Sequence, residues 1–497
     1  MRAKLHNIKT MERKILCIII FIGIFLVVSI AVLNPVDNKC LSFILIIALF
    51  LMILAPVWTR HKIGDIAEPI YYISLLYFLY FIVRAVWILF YPSEMYSYYW
   101  GNRPEASYDV INTTLAYTII GFMTLFVGYS SSLPEAISRL LWRPKFLKRE
   151  FKSGRISLDI IIVLIYCIGL FARFYLISRG QATFLLNPYE DIGFLHSFQL
   201  LEELCIFAYG LLTARLLTNP SKGFRYSLWI VMLIIETCYG FYSGKKGFII
   251  PIVAVSLILY HYLHKAISVR SAFSWLGIIF IAFILIIFPI INSYRVQFYK
   301  IGGYSSPDIA ISTLSVVISE LVRGELSYSL TDSTHDLMNR FVGLDAFSII
   351  IESKDYQKGK TISLFFWAFI PRFIWPDKPS LDVGREFAIT MWNQPANVQS
   401  SMAPTSIGEL YWNFGLIGVV LGMFVLGVIY RIVYIYLIKD RKRVSANEAL
   451  LYAFAFLGLF GIEGNLASQL AHIIQKLLLF GVTLWFISLI NRYKRRT

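Results

Sequence analysis

Charge is scarce in this chain: 15% of its 497 residues are Asp, Glu, Lys or Arg, against about 25% in an ordinary soluble domain. That shortage excludes a solvated globule. Cysteine is also sparse, and Cys17, Cys40, Cys167, Cys205 and Cys238 fall in or beside apolar runs with no CxxC spacing, so neither a disulfide framework nor a cysteine metal site is expected. There is no HExxH, GxSxG or Asp-x-Asp, no cofactor fingerprint, no internal repeat and no low-complexity tract. Metal, serine-nucleophile and cofactor chemistry therefore have no motif to rest on. What is present in quantity is apolar sequence, 58% of the residues with a mean hydropathy of +0.66, arranged in runs about 20 residues long, the length that crosses a bilayer as a helix.

An all-α polytopic membrane protein with about twelve transmembrane helices is the expected fold, with spans near 15–33, 41–57, 70–90, 110–130, 157–177, 198–217, 227–241, 248–263, 273–291, 416–437, 449–462 and 470–490. The basic start precedes an apolar run without a small-residue cleavage site, which reads as a retained first span. The net charge of +16 does not indicate nucleic acid, because Lys and Arg sit in short tethers such as Arg60-His-Lys62, the 139–155 stretch and Lys439–Arg443. These are alternate connections, so the positive-inside rule puts both termini in the cytoplasm. It divides the chain into a bundle at 1–291, a large extracytoplasmic loop at 292–406 and a closing bundle at 407–497.

Within the loop, Pro307-Asp308 starts a helix with Ile311, Leu314, Ile318 and Leu321 on one side, and Leu337, Phe341, Leu344, Phe347 and Ile351 repeat the pattern further on. That spacing predicts amphipathic surface helices folded back on the membrane. An apolar patch at 362–370 leads into Pro371-Arg-Phe-Ile-Trp-Pro-Asp-Lys-Pro379, a rigid turn suited to the headgroup level.

Charges at the mouth of a bundle are costly and mark sites. Arg295 follows the ninth span directly, and Arg323, Arg340 and Arg372 follow in the loop. Lys245 and Lys246 lie in Ser243-Gly-Lys-Lys-Gly247, on the side where basic residues are disfavoured. The turn reads either as snorkelling lysines or as an anion site built from ammonium groups and glycine N–H groups. Together these cations suit a diphosphate carried on a lipid, although a long loop also carries ordinary salt bridges. Glu409 stands at the mouth of the tenth span beside Tyr411, Trp412 and Asn413. It suits a general base for a sugar hydroxyl, with the neighbours binding sugar, or alternatively an interfacial helix anchor. Asp377, His335, Asp382 and Glu325 are further bases. His472, Glu463 and Gln469 reach the same end, while Arg173, Glu202 and Glu203 are expected to pair inside the bundle.

The Ser-Gly-Lys-Lys-Gly turn, Arg295, the Pro371–Pro379 run and Ser406-Ile-Gly-Glu-Leu-Tyr-Trp-Asn-Phe-Gly415 resemble the Wzy-type O-antigen or oligosaccharide repeat-unit polymerases, a likeness that covers the whole architecture. The related O-antigen ligases carry a histidine just before the corresponding span, where this chain reads Ser401-Met-Ala-Pro-Thr405. The resemblance implies a metal-independent, inverting glycosyltransferase at the outer face of the cytoplasmic (inner) membrane. Its substrates would be polyprenyl-diphosphate-linked oligosaccharides in polysaccharide biosynthesis, and a chain-length regulator would be a partner. Glu409, Asp377 and His335 would supply the base, and Arg295, Lys245, Lys246, Arg372, Arg323 and Arg340 the diphosphate site. A lipid-linked oligosaccharide flippase, a ligase and a structural export subunit are the rival readings.

Overall fold

The computed structural model describes residues 37–59, 65–148, 156–182, 192–219, 223–244, 249–268, 288–300, 307–323, 335–370, 383–396, 401–438, 444–462 and 464–493, with a few positions between. Among these every regular element is a helix, as an apolar chain requires when its backbone polar groups must be satisfied within each segment. The helices are α1 (Asn38–Thr59), α2 (Pro69–Phe90), α3 (Tyr108–Ser130), α4 (Leu133–Leu140), α5 (Ile156–Ser178), α6 (Ile192–Thr218), α7 (Phe224–Ser243) and α8 (Ile249–Leu263). They continue with α9 (Phe288–Lys300), α10 (Pro307–Arg323), α11 (Gly343–Ser353), α12 (Lys360–Trp367), α13 (Val383–Thr390), α14 (Ser406–Leu437), α15 (Ala446–Leu459) and α16 (Leu466–Tyr493).

Seven of them, α1, α2, α3, α5, α7, α14 and α16, are long and apolar enough to cross a membrane, while α8 and α15 are shorter apolar helices. α6 covers the expected sixth span but is not in that set, and it carries Glu202, Glu203 and Arg215. The expected first span and most of the ninth lie outside the described residues. Apolar helices of this kind associate with a lipid bilayer.

Two helix groups share one continuous core. In the first, α3 packs against α1 and α14; in the second, α6 packs against α5 and α8, and α15 ties α8 to α16. Two interruptions shape the first group. Phe78–Val83 in α2 is a π-helical turn, a feature frequent at functional sites. In α14, Gly415 takes φ 61° and ψ −153°, a conformation essentially confined to glycine. It separates a buried segment of about two turns, Ser406–Asn413, from the long helix that follows.

The 292–406 segment departs from the expected surface arrangement. α11 carries the expected Leu344 and Phe347, but both are completely buried in the main core, where α11 packs against α3, α14 and the π turn of α2. Its apolar face is covered by protein. α10 forms over the expected residues, yet Ile311 and Ile318 point outward; Val317 is the fully buried position, joined by Ile290 and Tyr294 of α9 in a small separate cluster. α12 packs against α16.

Candidate functional site

The Gly-Glu-Leu-Tyr-Trp-Asn-Phe-Gly segment begins α14, where Thr405 caps the helix by accepting the Gly408 N–H at 3.2 Å. Glu409 is fully buried in the next turn. One carboxylate oxygen accepts the Thr361 hydroxyl at 2.8 Å, and the other accepts the N–H of Leu466, the first residue of α16. Asn413 donates to Thr361 Oγ1 at 2.7 Å and to the Glu409 carbonyl at 2.8 Å. The carboxylate thus joins the starts of α12, α14 and α16, and it satisfies one of the helix-terminal N–H groups that otherwise lack a partner. Trp412 is fully buried with its ring 5.3 Å from that of Phe387, and Tyr411 packs between Phe347 and Tyr117. Neither expected sugar platform presents an open ring face, because the segment is interior packing at the root of the span.

A different group of residues lines a cleft of about 290 Å³, formed by Tyr80, Tyr98, Asn339, Arg340, Ser401 and Thr405. The π turn brings Tyr80 there, and the stretch ahead of α14 supplies Ser401 and Thr405. Arg340 is exposed at its rim. Burial pushes the Tyr98 phenol above its ordinary value; Arg340, Arg84 and Arg295 are near enough to draw it down, and Asp336 pushes it up. Of the expected cations, Arg340 lines the cleft together with Tyr98, whereas Arg295 of α9 is not among its lining residues. Arg295 also donates through Nε to the Gly244 carbonyl at 3.0 Å, one residue ahead of Lys245 and Lys246.

Behind the cleft, Arg84 donates to Asp345 through Nε and Nη2, both at 2.8 Å, and to the carbonyl of Glu94 at 2.8 Å. Its Nη1 reaches the Met338 carbonyl and Asn339 Oδ1, each at 3.2 Å. This one side chain fixes the short turn that carries Asn339 and Arg340. Asn339 in turn donates to Glu94 Oε2 at 3.4 Å, and His335 Nδ1 lies 3.3 Å from Glu94 Oε1. His335, expected as a base, is thus linked to the cleft through a carboxylate.

Other expectations fall elsewhere. Arg323 is exposed in the last turn of α10, and no contact among the described residues joins it to the cleft. Lys245, Lys246, Arg372, Asp377, Glu325, Asp382 and Glu463 lie outside the described residues. Gln469 caps α15 by donating to the carbonyls of Gly458 and Gly461, both at 2.9 Å, and His472 is exposed on α16. Arg173 forms a bidentate pair with Glu236 at 2.7 Å, with Glu202 4.0 Å away, while Glu203 pairs with Lys476 at 2.6 Å. Sequence reasoning missed Arg84, Glu94, Tyr98 and Asn339. Arg84 alone left a signal, as an arginine inside an apolar span.

No solved structure matches the chain. A family model described as a domain of unknown function, DUF8712, matches residues 166–460, more than half of the sequence. The chain belongs to the DUF8712 family.

Proposed function

We propose that the protein is a membrane-embedded glycosyltransferase that joins polyprenyl-diphosphate-linked oligosaccharide repeat units at the outer face of the cytoplasmic membrane. The observation that carries this reading is the cleft where Arg340 stands beside Tyr98 and Asn339, joined through Asn339 to the His335–Glu94 pair. Guanidinium groups bind phosphate oxygens through paired N–H donors, and cations fixed before the reaction stabilise charge as it builds on a leaving diphosphate. His335 takes the base role. Glu94 engages its Nδ1, which would leave Nε2 to take the acceptor's proton, the arrangement by which a carboxylate orients a catalytic imidazole.

In the proposed step the acceptor hydroxyl oxygen attacks the anomeric carbon of the donor sugar, and its proton passes to Nε2 of His335. The bond from that carbon to the diphosphate oxygen breaks, its electron pair leaving with the lipid diphosphate. A single displacement inverts the anomeric configuration. Glu409, with both oxygens engaged by protein donors, is a positioning residue that holds the start of α14 against the cleft.

Purified full-length protein supplied only with lipid-linked single repeat units tests the reading. A ladder of longer lipid-linked products is expected. Units that stay single yet cross the bilayer of a sealed vesicle would replace it with the flippase reading.

A further inference from the structure

Next to the cleft, around the His335–Glu94 pair, is an aromatic corner whose Tyr91 and Trp87 the proposed function does not use. Tyr91, just past the end of α2, is 47% exposed. Trp87, one helical turn earlier, backs it, with ring centroids 4.4 Å apart. The His335 ring meets both edge-on, at 5.3 Å from Trp87 and 6.0 Å from Tyr91, and its side chain is 39% exposed. Glu94, on the short turn at Pro92–Glu94, places its carboxylate between His335 and Asn339.

We infer that Tyr91, backed by Trp87 and flanked by the Glu94 carboxylate, is a carbohydrate-binding subsite for the sugar attached directly to the diphosphate. Carbohydrate is the ligand class this combination fits. A sugar ring has an apolar face of C–H groups that packs on an aromatic ring and an edge of hydroxyls that donate to a carboxylate. Because Tyr91 is already held by Trp87, stacking on it costs little side-chain entropy. A bare aromatic belt at a membrane surface explains Trp and Tyr there, but it does not call for a carboxylate and an imidazole turned into the same corner.

Placement strengthens the assignment. Asn339 lines the cleft and also donates to Glu94, so the corner opens one hydrogen bond away from the Arg340 rim. In a polyprenyl-diphosphate sugar the first sugar is bonded directly to the phosphate, and a subsite for it has to adjoin the anion site. This inference rests on the proposed function for the identity of that anion.

The test compares two probes on full-length protein in nanodiscs: bare polyprenyl diphosphate, and the polyprenyl-diphosphate-linked oligosaccharides extracted from the host membrane. Wild-type protein is expected to hold the sugar-bearing lipid at least about tenfold tighter, roughly 1.4 kcal/mol. Tyr91→Ala should remove that difference while leaving affinity for the bare lipid unchanged, and Tyr91→Phe, which keeps the ring, should retain it. Glu94→Gln reads the carboxylate and should lower affinity for the sugar-bearing lipid. Equal wild-type affinity for both lipids, or a Tyr91→Ala protein that loses both alike, overturns the subsite and leaves the diphosphate reading standing. Wild-type protein that binds neither lipid overturns both.

Discussion

Arg84 and Asp345 are both fully buried and meet through two parallel hydrogen bonds of 2.8 Å, across 261 positions of sequence. Removing one partner strands the other charge in the interior, which costs about 3–5 kcal/mol. Asp345→Ala is therefore expected to lower the thermal unfolding midpoint in detergent sharply. Arg84→Lys keeps the charge but loses the fork, and is expected to fall between wild type and Asp345→Ala.

Glu409→Gln separates positioning from catalysis at that residue. The glutamine carbonyl can still accept the Leu466 N–H, and its amide can donate to Thr361 Oγ1, so melting temperature and chain extension are both expected to stay near wild type. Glu409→Ala leaves the Leu466 N–H unsatisfied, at a cost of about 1–3 kcal/mol, visible as a lower melting temperature. A Glu409→Gln protein that melts normally but has lost chain extension would return Glu409 to the base role.

If the proposed function holds, Arg340→Gln and Arg295→Gln are expected to weaken binding of polyprenyl diphosphate by about tenfold or more each, since each would remove a charge-assisted contact of about 1.5–3 kcal/mol. Arg340 is at the surface, so its variant should unfold at the wild-type temperature. The binding loss should shrink as salt is raised, because screening weakens the wild-type contact first.

At another point in the fold, Asp65 accepts His261 Nε2 at 2.9 Å, Tyr262 at 2.7 Å and Tyr434 at 2.9 Å. Burial alone would push its carboxyl up, but these donors and the His261 ring together hold it below the ordinary carboxylate value. A group depressed on folding contributes stability above its unfolded value of about 3.9 and loses it as pH falls through the lower folded value. The wild-type melting temperature is expected to drop progressively as pH falls below about 5, whereas Asp65→Asn should start lower and change less over the same range.

Much of the helical layout was legible because apolar run length reports a membrane-length helix directly. Leu416 was readable as the start of a span, and the structure puts the Gly415 break immediately before it. Pairing between helices was not legible. Glu409 reads as a base when only Tyr411, Trp412 and Asn413 are in view, since Thr361 and Leu466 lie 48 and 57 positions away. The apolar periodicity of α11 reports that one face is covered, not whether lipid or protein covers it. Glu94 and Asn339 carry no local pattern at all, and they acquire a role only through Arg84.

Where α3 crosses α14, a methyl group on Gly427 would stand 2.0 Å from the Leu125 carbonyl oxygen, and one on Gly128 would stand 2.2 Å from that of Phe424. Two backbones in such contact leave no side-chain layer to slide on, so the pair behaves mechanically as a single plate. A long prenyl chain that had to part helices to enter would find no seam here, and the yielding joints of the bundle must lie elsewhere. Replacing either glycine by alanine would force the two backbones apart at this crossing.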